Sequence, residues 1–430
     1  MLRAARMGRS IRSARRGRIR RGLFAGAAAL AGAALAAAGP ARAAQPTVIL
    51  ISLDGTGPEA IRESGLEALP GLALRGAEAE ALLPVFPTNT FPNHVSLVTG
   101  VAPDVHGIVN NSFLDPERGV YERSADPRWI EVEPLWSILE GQGVATASFH
   151  WVGSEGAWTS GRGPRHWRPF DSRTGEREKV EQILAWLDLA DPRERPRLIT
   201  AWFHGADGAA HRHGPGTPEV RGALREQDRA VARLVAGLEE RGAFAWATLL
   251  FVSDHGMAEV RERVDLEAAL GAARVRARTF GGGGFATAVL PGGLEAARRA
   301  ASAARAAGLE AWPRGEAPAE LRVGHPRFGD VVVLAPPGVA IAKRLSPQGA
   351  LRGVHGYRPE APGMAGLLLA AGRGAVPGTR LGRPRALDVA PTVLALLGLP
   401  APAWMEGRAI AALLPKSEDP GAPRVPEASP

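Results

Sequence analysis

Three short apolar runs punctuate the chain: Thr47–Leu53, Leu198–Phe203 and Ala247–Ser253. They are too continuous for a half-exposed strand and too short for a helix, so they predict strands buried on both faces, as in a parallel sheet. Each run leads into polar residues. Asp54 follows the first, Asp207 and His211 the second, and Asp254 and His255 the third. Residues 366–371 predict one more central strand. Between the runs, 180–189 and 218–241 place apolar residues three and four apart with charges on the other face, which predicts amphipathic helices. Another helix is predicted over 388–397, with Pro391 tolerated only in its first turn.

Strands alternating with helices predict an α/β fold, a central mostly parallel sheet sandwiched by helices. Residues 265–350 differ in texture and predict a small α/β insertion. There a four-glycine run (281–284) precedes an Ala/Arg-rich helix over 294–307 and short strands near Leu321 and over 330–334. A glycine run can cradle phosphate, but without the Lys-Ser/Thr of a P-loop it is read as a turn. Residues 46–415 then make one domain that includes the insertion. From Lys416, Pro, Glu and Ser dominate, so 416–430 is expected to be a disordered tail.

The net charge of +8 changes meaning with position. Residues 1–43 hold ten Arg and no acid, so the remainder carries −2. That balance gives no reason to expect a nucleic-acid-binding surface. A basic stretch to Arg21, an Ala-rich apolar stretch from Leu23 to Ala38, and Ala41-Arg42-Ala43 together predict a cleaved export signal. Arg20-Arg21 gives it a twin-arginine character. A periplasmic or secreted protein, with a mature form that is monomeric and has no membrane span, is expected. Cysteine is absent, which excludes disulfides.

Three carboxylates (Asp54, Asp207, Asp254), three imidazoles (His211, His255, His355) and the Thr90 hydroxyl are enough to hold two zinc-like ions around a nucleophile. On a helix, Asp207 and His211 share one face. Taken singly, each feature has an ordinary explanation: Asp254 as a helix cap, Thr90 as a surface hydroxyl. A Thr hydroxyl is a poor nucleophile without help, so its role depends on the metal.

The segments Pro87-Thr88-Asn89-Thr90-Phe91-Pro92-Asn93-His94, Thr99-Gly100, His106-Gly107 and Asn110-Asn111 resemble the nucleotide pyrophosphatase/phosphodiesterase family of the alkaline phosphatase superfamily. The resemblance continues through Trp151–Glu155, Asp207…His211…Gly214-Pro215, Ser253–Met257, Gly353–Tyr357 and Asp388–Thr392. It departs from the family pattern at Val152 and at Gly205-Ala206, where an acidic or Pro-containing approach to Asp207 is commoner. The resemblance implies an alkaline-phosphatase-like fold. It implies one Zn²⁺ on Asp207, His211 and His355, and a second on Asp54, Asp254 and His255 with Thr90 as activated ligand. Mn²⁺ suits the same donors. Asn111 would donate to a non-bridging phosphate oxygen. Phe91 and Phe170 would flank a nucleobase, with Trp151 lining the same pocket; core packing is the plainer role for Phe170. The implied activity is release of nucleoside 5′-monophosphates through a phosphothreonine. A phospholipid or choline-phosphate diesterase, a phosphonate hydrolase, or a non-catalytic binding protein would keep the same fold. His94 is expected to hold its turn by a hydrogen bond, and His106, His150, His166, His204, His213 and His325 to lie at the surface or to back the ligands without being ligands themselves.

Overall fold

The computed structural model describes residues 45–159, 161–342 and 351–415. The expected export signal and C-terminal tail lie outside the described residues. We label the elements that position the site: β1 (Thr47–Leu53), β2 (Ala77–Glu78), α1 (Thr90–Thr99), β3 (Thr146–Phe149), β4 (His166–Arg168), α2 (Glu176–Leu187), β5 (Leu198–Phe203), α3 (Gly205–His213), α4 (Pro218–Glu240), β6 (Ala247–Val252), β7 (Leu368–Gly372), β8 (Thr379–Arg380) and α5 (Val389–Leu396).

These strands form one eight-stranded sheet in the order β8-β2-β7-β6-β1-β5-β3-β4. Strands β6, β1, β5, β3 and β4 run parallel, while β7 is antiparallel to both its neighbours. Every residue of β1, β5 and β6 is buried, as continuous apolar runs require. Along β1, Ile49, Ile51 and Leu53 enter a core with α2 and α4, while Val48 and Leu50 enter a second core with α1 and α5. Period-two alternation thus distributes one strand between two helical layers.

The register places the chemistry at one edge. Leu53 lies beside Phe203, and Ser52 beside both Trp202 and Val252. Asp54, the turn after Phe203, and Asp254 therefore leave the sheet together at the carboxyl ends of adjacent strands, where open α/β sheets collect ligands.

Within residues 265–342, strands Arg278–Gly282, Phe285–Val289, Val331–Leu334 and Glu310–Pro313 form a second, antiparallel sheet in that order. Helix Gly293–Ala306 buries Ala296, Ala297, Ala300, Ala301 and Ala304. One expectation is corrected: Leu321 closes the 3₁₀ turn Ala319–Leu321 and belongs to no strand. It is apolar because it is buried, and Arg322 beyond it takes φ 52°, which extended backbone does not allow. Of the four-glycine run, Gly281 and Gly282 end the first strand, and Gly283 and Gly284 make the hairpin turn to the second, so the turn reading holds for the latter two.

Candidate active site

Thr90 opens α1, and its Oγ1 lies 3.2 Å from His255 Nε2. That nitrogen is 3.0 Å from Asp254 Oδ2 and 3.6 Å from Asp54 Oδ1. On α3, Asp207 Oδ1 sits 3.5 Å from His211 Nε2 and 3.9 Å from His355 Nε2. The i, i+4 spacing puts Asp207 and His211 on one face of α3, as expected. His255 and His355 stack with ring centroids 3.7 Å apart. All seven residues singled out as ligands or nucleophile therefore meet at one place. Two subsets have donor atoms close enough to share an ion: Asp54, Asp254 and His255, and Asp207, His255 and His355. In the second, His255 takes the position that the resemblance gives to His211, whose Nε2 lies 3.5 Å from the same Asp207 oxygen.

The donor chemistry fits cations. His211 Nδ1 lies 2.8 Å from the Gly353 carbonyl, His255 Nδ1 2.9 Å from that of Gly256, and His355 Nδ1 3.0 Å from that of Thr88. A carbonyl only accepts, so each Nδ1 carries the proton and each Nε2 presents a lone pair. Asp54 Oδ1, Asp207 Oδ1 and Asp254 Oδ2 are buried without a hydrogen-bond partner. Acceptors thus face acceptors across a buried space, an arrangement that a divalent cation would resolve.

Proton balance gives the same answer. Burial, then the charges of Asp254 and Asp207, push the Asp54 carboxyl well above its ordinary range. Burial pushes Asp254 up too, but His255 and His94 outweigh it and hold that carboxyl well below. Burial lowers His255, yet Asp254 raises it further, so the imidazole ends above its usual value. Burial and the neighbouring His255 and His211 push His355 well below. Without added positive charge, the cluster divides its protons unevenly to tolerate its own burial.

An asparagine ladder frames Thr90. Asn110 Oδ1 accepts from Asn89 Nδ2 and from the Asn111 N–H, both at 2.8 Å. Asn111 Oδ1 accepts from the Phe91 N–H at 2.9 Å. That commitment leaves the Asn111 amide NH₂ to donate into the cavity. The cavity measures about 980 Å³ and is lined by Thr90, Phe91, Asn111, Trp151, Phe170 and Trp202 among others.

Phe170 is 44% exposed and stacks on Trp202, with centroids 5.1 Å apart and planes at 27°. Phe91 meets Trp202 edge-on at 6.3 Å. Trp151 is 1% exposed, and its indole N–H donates to the His94 carbonyl at 3.1 Å, so its main contact is with α1. The glycine hairpin reaches the site by close approach. A Cβ on Gly281 would lie 2.5 Å from Asn110 Nδ2, and one on Gly284 2.5 Å from the Tyr357 nitrogen. Only glycine lets this hairpin close the cavity.

Five contributors escaped sequence reasoning. The Trp202 indole donates to Asp54 Oδ2 at 2.9 Å, yet in sequence Trp202 is one more apolar residue of a buried run. His94 holds its turn as expected, with Nδ1 2.9 Å from the Thr90 carbonyl, but it also lies 3.3 Å from Asp254 Oδ2. Arg123, Arg212 and Arg263 line the cavity from distant segments, though no basic residue stands beside Thr90 in sequence.

Comparison with known proteins places this geometry. The model of the type I phosphodiesterase / nucleotide pyrophosphatase family matches residues 48–358. An uncharacterized pyrophosphatase/phosphodiesterase of Schizosaccharomyces pombe is 38% identical over 221 residues, 50% of this chain and 45% of that protein. Mouse ectonucleotide pyrophosphatase/phosphodiesterase family member 1 is 33% identical over 225 residues, 51% of this chain and 25% of that protein. The matched regions thus span less than half the length of these relatives. In fold, the chain is similar to an inactive variant of murine ectonucleotide pyrophosphatase/phosphodiesterase 5 solved in complex with AMP. The TM-score is 0.77 at 22% identity, covering 84% of this chain and 96% of the other. Taken with the converging carboxylates and imidazoles at the sheet edge, the match over residues 48–358 shows that the chain belongs to the type I phosphodiesterase / nucleotide pyrophosphatase family.

Proposed function

We propose that this protein hydrolyses nucleotide phosphodiester or pyrophosphate bonds and releases nucleoside 5′-monophosphates through a phosphothreonine at Thr90. The observation that carries the reading is the set of buried, partnerless carboxylate oxygens facing imidazole Nε2 atoms beside the Thr90 hydroxyl. Asp54, Asp254 and His255 would hold one divalent cation, and Asp207, His211 and His355 the other. Zinc is the first choice for such N/O donors, and Mn²⁺ the second. Two bound cations would supply Lewis acidity, lowering the pKa of the Thr90 hydroxyl and offsetting charge on the attacking and leaving oxygens.

The chain's own groups do the rest. The Thr90 Oγ–P bond forms as the P–O bond to the leaving alcohol or phosphate breaks, and water later cleaves the Thr90 Oγ–P bond to restore the hydroxyl. The Asn111 NH₂ donates to a non-bridging phosphate oxygen. Phe91 and Phe170 present π faces to the nucleobase, where stacking contributes about 0.5–1.5 kcal/mol. The AMP-bound structural neighbour supports a nucleotide substrate. The basic, then Ala-rich N-terminal stretch supports export to the periplasm or medium.

The test is parallel hydrolysis of p-nitrophenyl thymidine 5′-phosphate, bis-p-nitrophenyl phosphate and p-nitrophenyl phosphate by zinc-loaded protein. Clear preference for the thymidine diester is expected. Preference for the monoester would overturn the diesterase reading, and equal rates on both diesters would remove the nucleobase pocket and favour a lipid or choline-phosphate diester.

A further inference from the structure

Lysine is almost never fully buried unless it is paired, because taking an ammonium out of water costs several kcal/mol. The Lys179 side chain, in the first turn of α2, has no solvent exposure. Its Nζ lies 2.7 Å from Glu176 Oε2, donates to the Trp202 carbonyl at 2.8 Å, and lies 3.0 Å from His204 Nδ1. Glu176 Oε1 accepts from the Gly205 N–H at 3.2 Å. From α4, Gln227 Nε2 reaches the same Glu176 oxygen at 3.5 Å and the Phe203 carbonyl at 3.4 Å.

Around the Lys179–Glu176 pair, the remaining contacts fall on Trp202–Gly205, where β5 ends and α3 starts. Two residues further on comes Asp207, and four beyond that His211. The Trp202 side chain in turn donates to Asp54 Oδ2. The turn contains Gly205 and leads into Ala206, so nothing in its own sequence stiffens it; the family's commoner acidic or Pro-containing approach is missing there. The rigidity comes from a neighbouring helix. Glu176 binds the Gly205 N–H, the first of α3, and Lys179 ties down the Trp202 carbonyl near the end of β5. Burial lowers the Lys179 pKa, and the charge of Glu176 opposes that shift.

We infer that Glu176 and Lys179 are positioning residues that hold the β5–α3 turn so that Asp207 and His211 present their donor atoms to a divalent cation. This rests on the proposed metal-dependent reading of the site.

The experiment titrates metal-stripped full-length protein with zinc against a chromophoric chelator. The variants are Lys179→Met, Glu176→Ala and, as a control, Thr90→Ala. Outer-shell support of this kind changes metal affinity about 10–100-fold. Lys179→Met and Glu176→Ala should weaken one of two zinc equivalents at least tenfold. Saturating zinc should return kcat to within about threefold of wild type, a recovery that loss of folded protein would not allow. Thr90→Ala should bind zinc like wild type. Glu176 is partly open to solvent, so its variant carries the test if Lys179→Met does not fold. Wild-type zinc affinity in both variants, even with a lowered Tm, overturns this inference alone. A wild-type protein that binds no zinc overturns the metal reading and this inference with it.

Discussion

At the floor of the cavity, carboxylates and imidazoles face one another, with one oxygen each of Asp54, Asp207 and Asp254 lacking a hydrogen-bond donor and most atoms out of water. Along its aromatic wall, Phe170 rests on Trp202 with 44% of its surface open, touching His150 and His204 through ring contacts alone. The floor is costly in the absence of a cation, since each buried unpaired acceptor forfeits about 1–3 kcal/mol. The wall costs little and can change without disturbing the sheet. The difference teaches which part of the site sets chemistry and which part selects substrate. Trp202 belongs to both, with its ring in the wall and its N–H on Asp54.

The largest effect expected is on the floor. Thr90→Ala should lower kcat on the order of 10⁴-fold or more while metal content stays at the wild-type level; retained turnover would sink the nucleophile assignment. Asp54→Asn and His355→Ala should lose both bound metal, measured by elemental analysis, and activity. Chelation should abolish wild-type turnover, and added zinc should restore it in wild type but not in these variants.

Next comes the support beneath the floor. Burial lowers the His106 pKa from 6.5 to about 3, and its Nδ1 accepts from the Ile108 N–H at 3.1 Å while Nε2 meets Ser96 Oγ at 3.0 Å. A depressed folded-state pKa gives stability that is complete above pH 6.5 and is lost as pH falls toward 3. Each pH unit within that window costs about 1.4 kcal/mol. Denaturant unfolding at pH 7, 6 and 5 should show this slope, and His106→Gln should flatten it. An unchanged slope would mean that other groups carry it.

Trp202→Phe, which keeps the ring and removes the donor, should weaken zinc binding about tenfold and leave the thymidine diester preference in place. If preference falls and zinc binding does not, the wall and floor roles of Trp202 are exchanged. The smallest effect belongs to the wall. Phe170→Ala should raise KM for the thymidine diester roughly 3–10-fold and leave bis-p-nitrophenyl phosphate hydrolysis unchanged, consistent with one lost aromatic contact.

Much of the floor was legible in the chain because its residues follow buried strands directly. A continuous apolar run, then Asp54 or Asp254-His255, states both the strand and what its end presents. Asp207 and His211 were legible through helical spacing. Leu321 misled because burial in a 3₁₀ turn and burial in a strand look alike over three residues. Trp202 and Lys179 could not be found: a Trp in an apolar run reads as core, and a Lys on an amphipathic helix reads as solvated surface. The glycine run declared a turn, but nothing in it said that the turn would press against Asn110 and Tyr357.

The sequence by itself determined the strands, the main helices and which side chains stand at the strand ends, because those follow from local periodicity of two and 3.6 residues. It also carried the family through its motifs. Only the tertiary structure decided that β7 runs against its neighbours, that His255 stacks on His355, and that Asp54 is held by Trp202. Likewise, only the fold turned Lys179 inward against the turn before Asp207. Each of these depends on partners far apart in the chain, from 23 residues for Lys179 and Trp202 to 148 for Asp54 and Trp202 among the side-chain contacts, and no local pattern records which of them will meet.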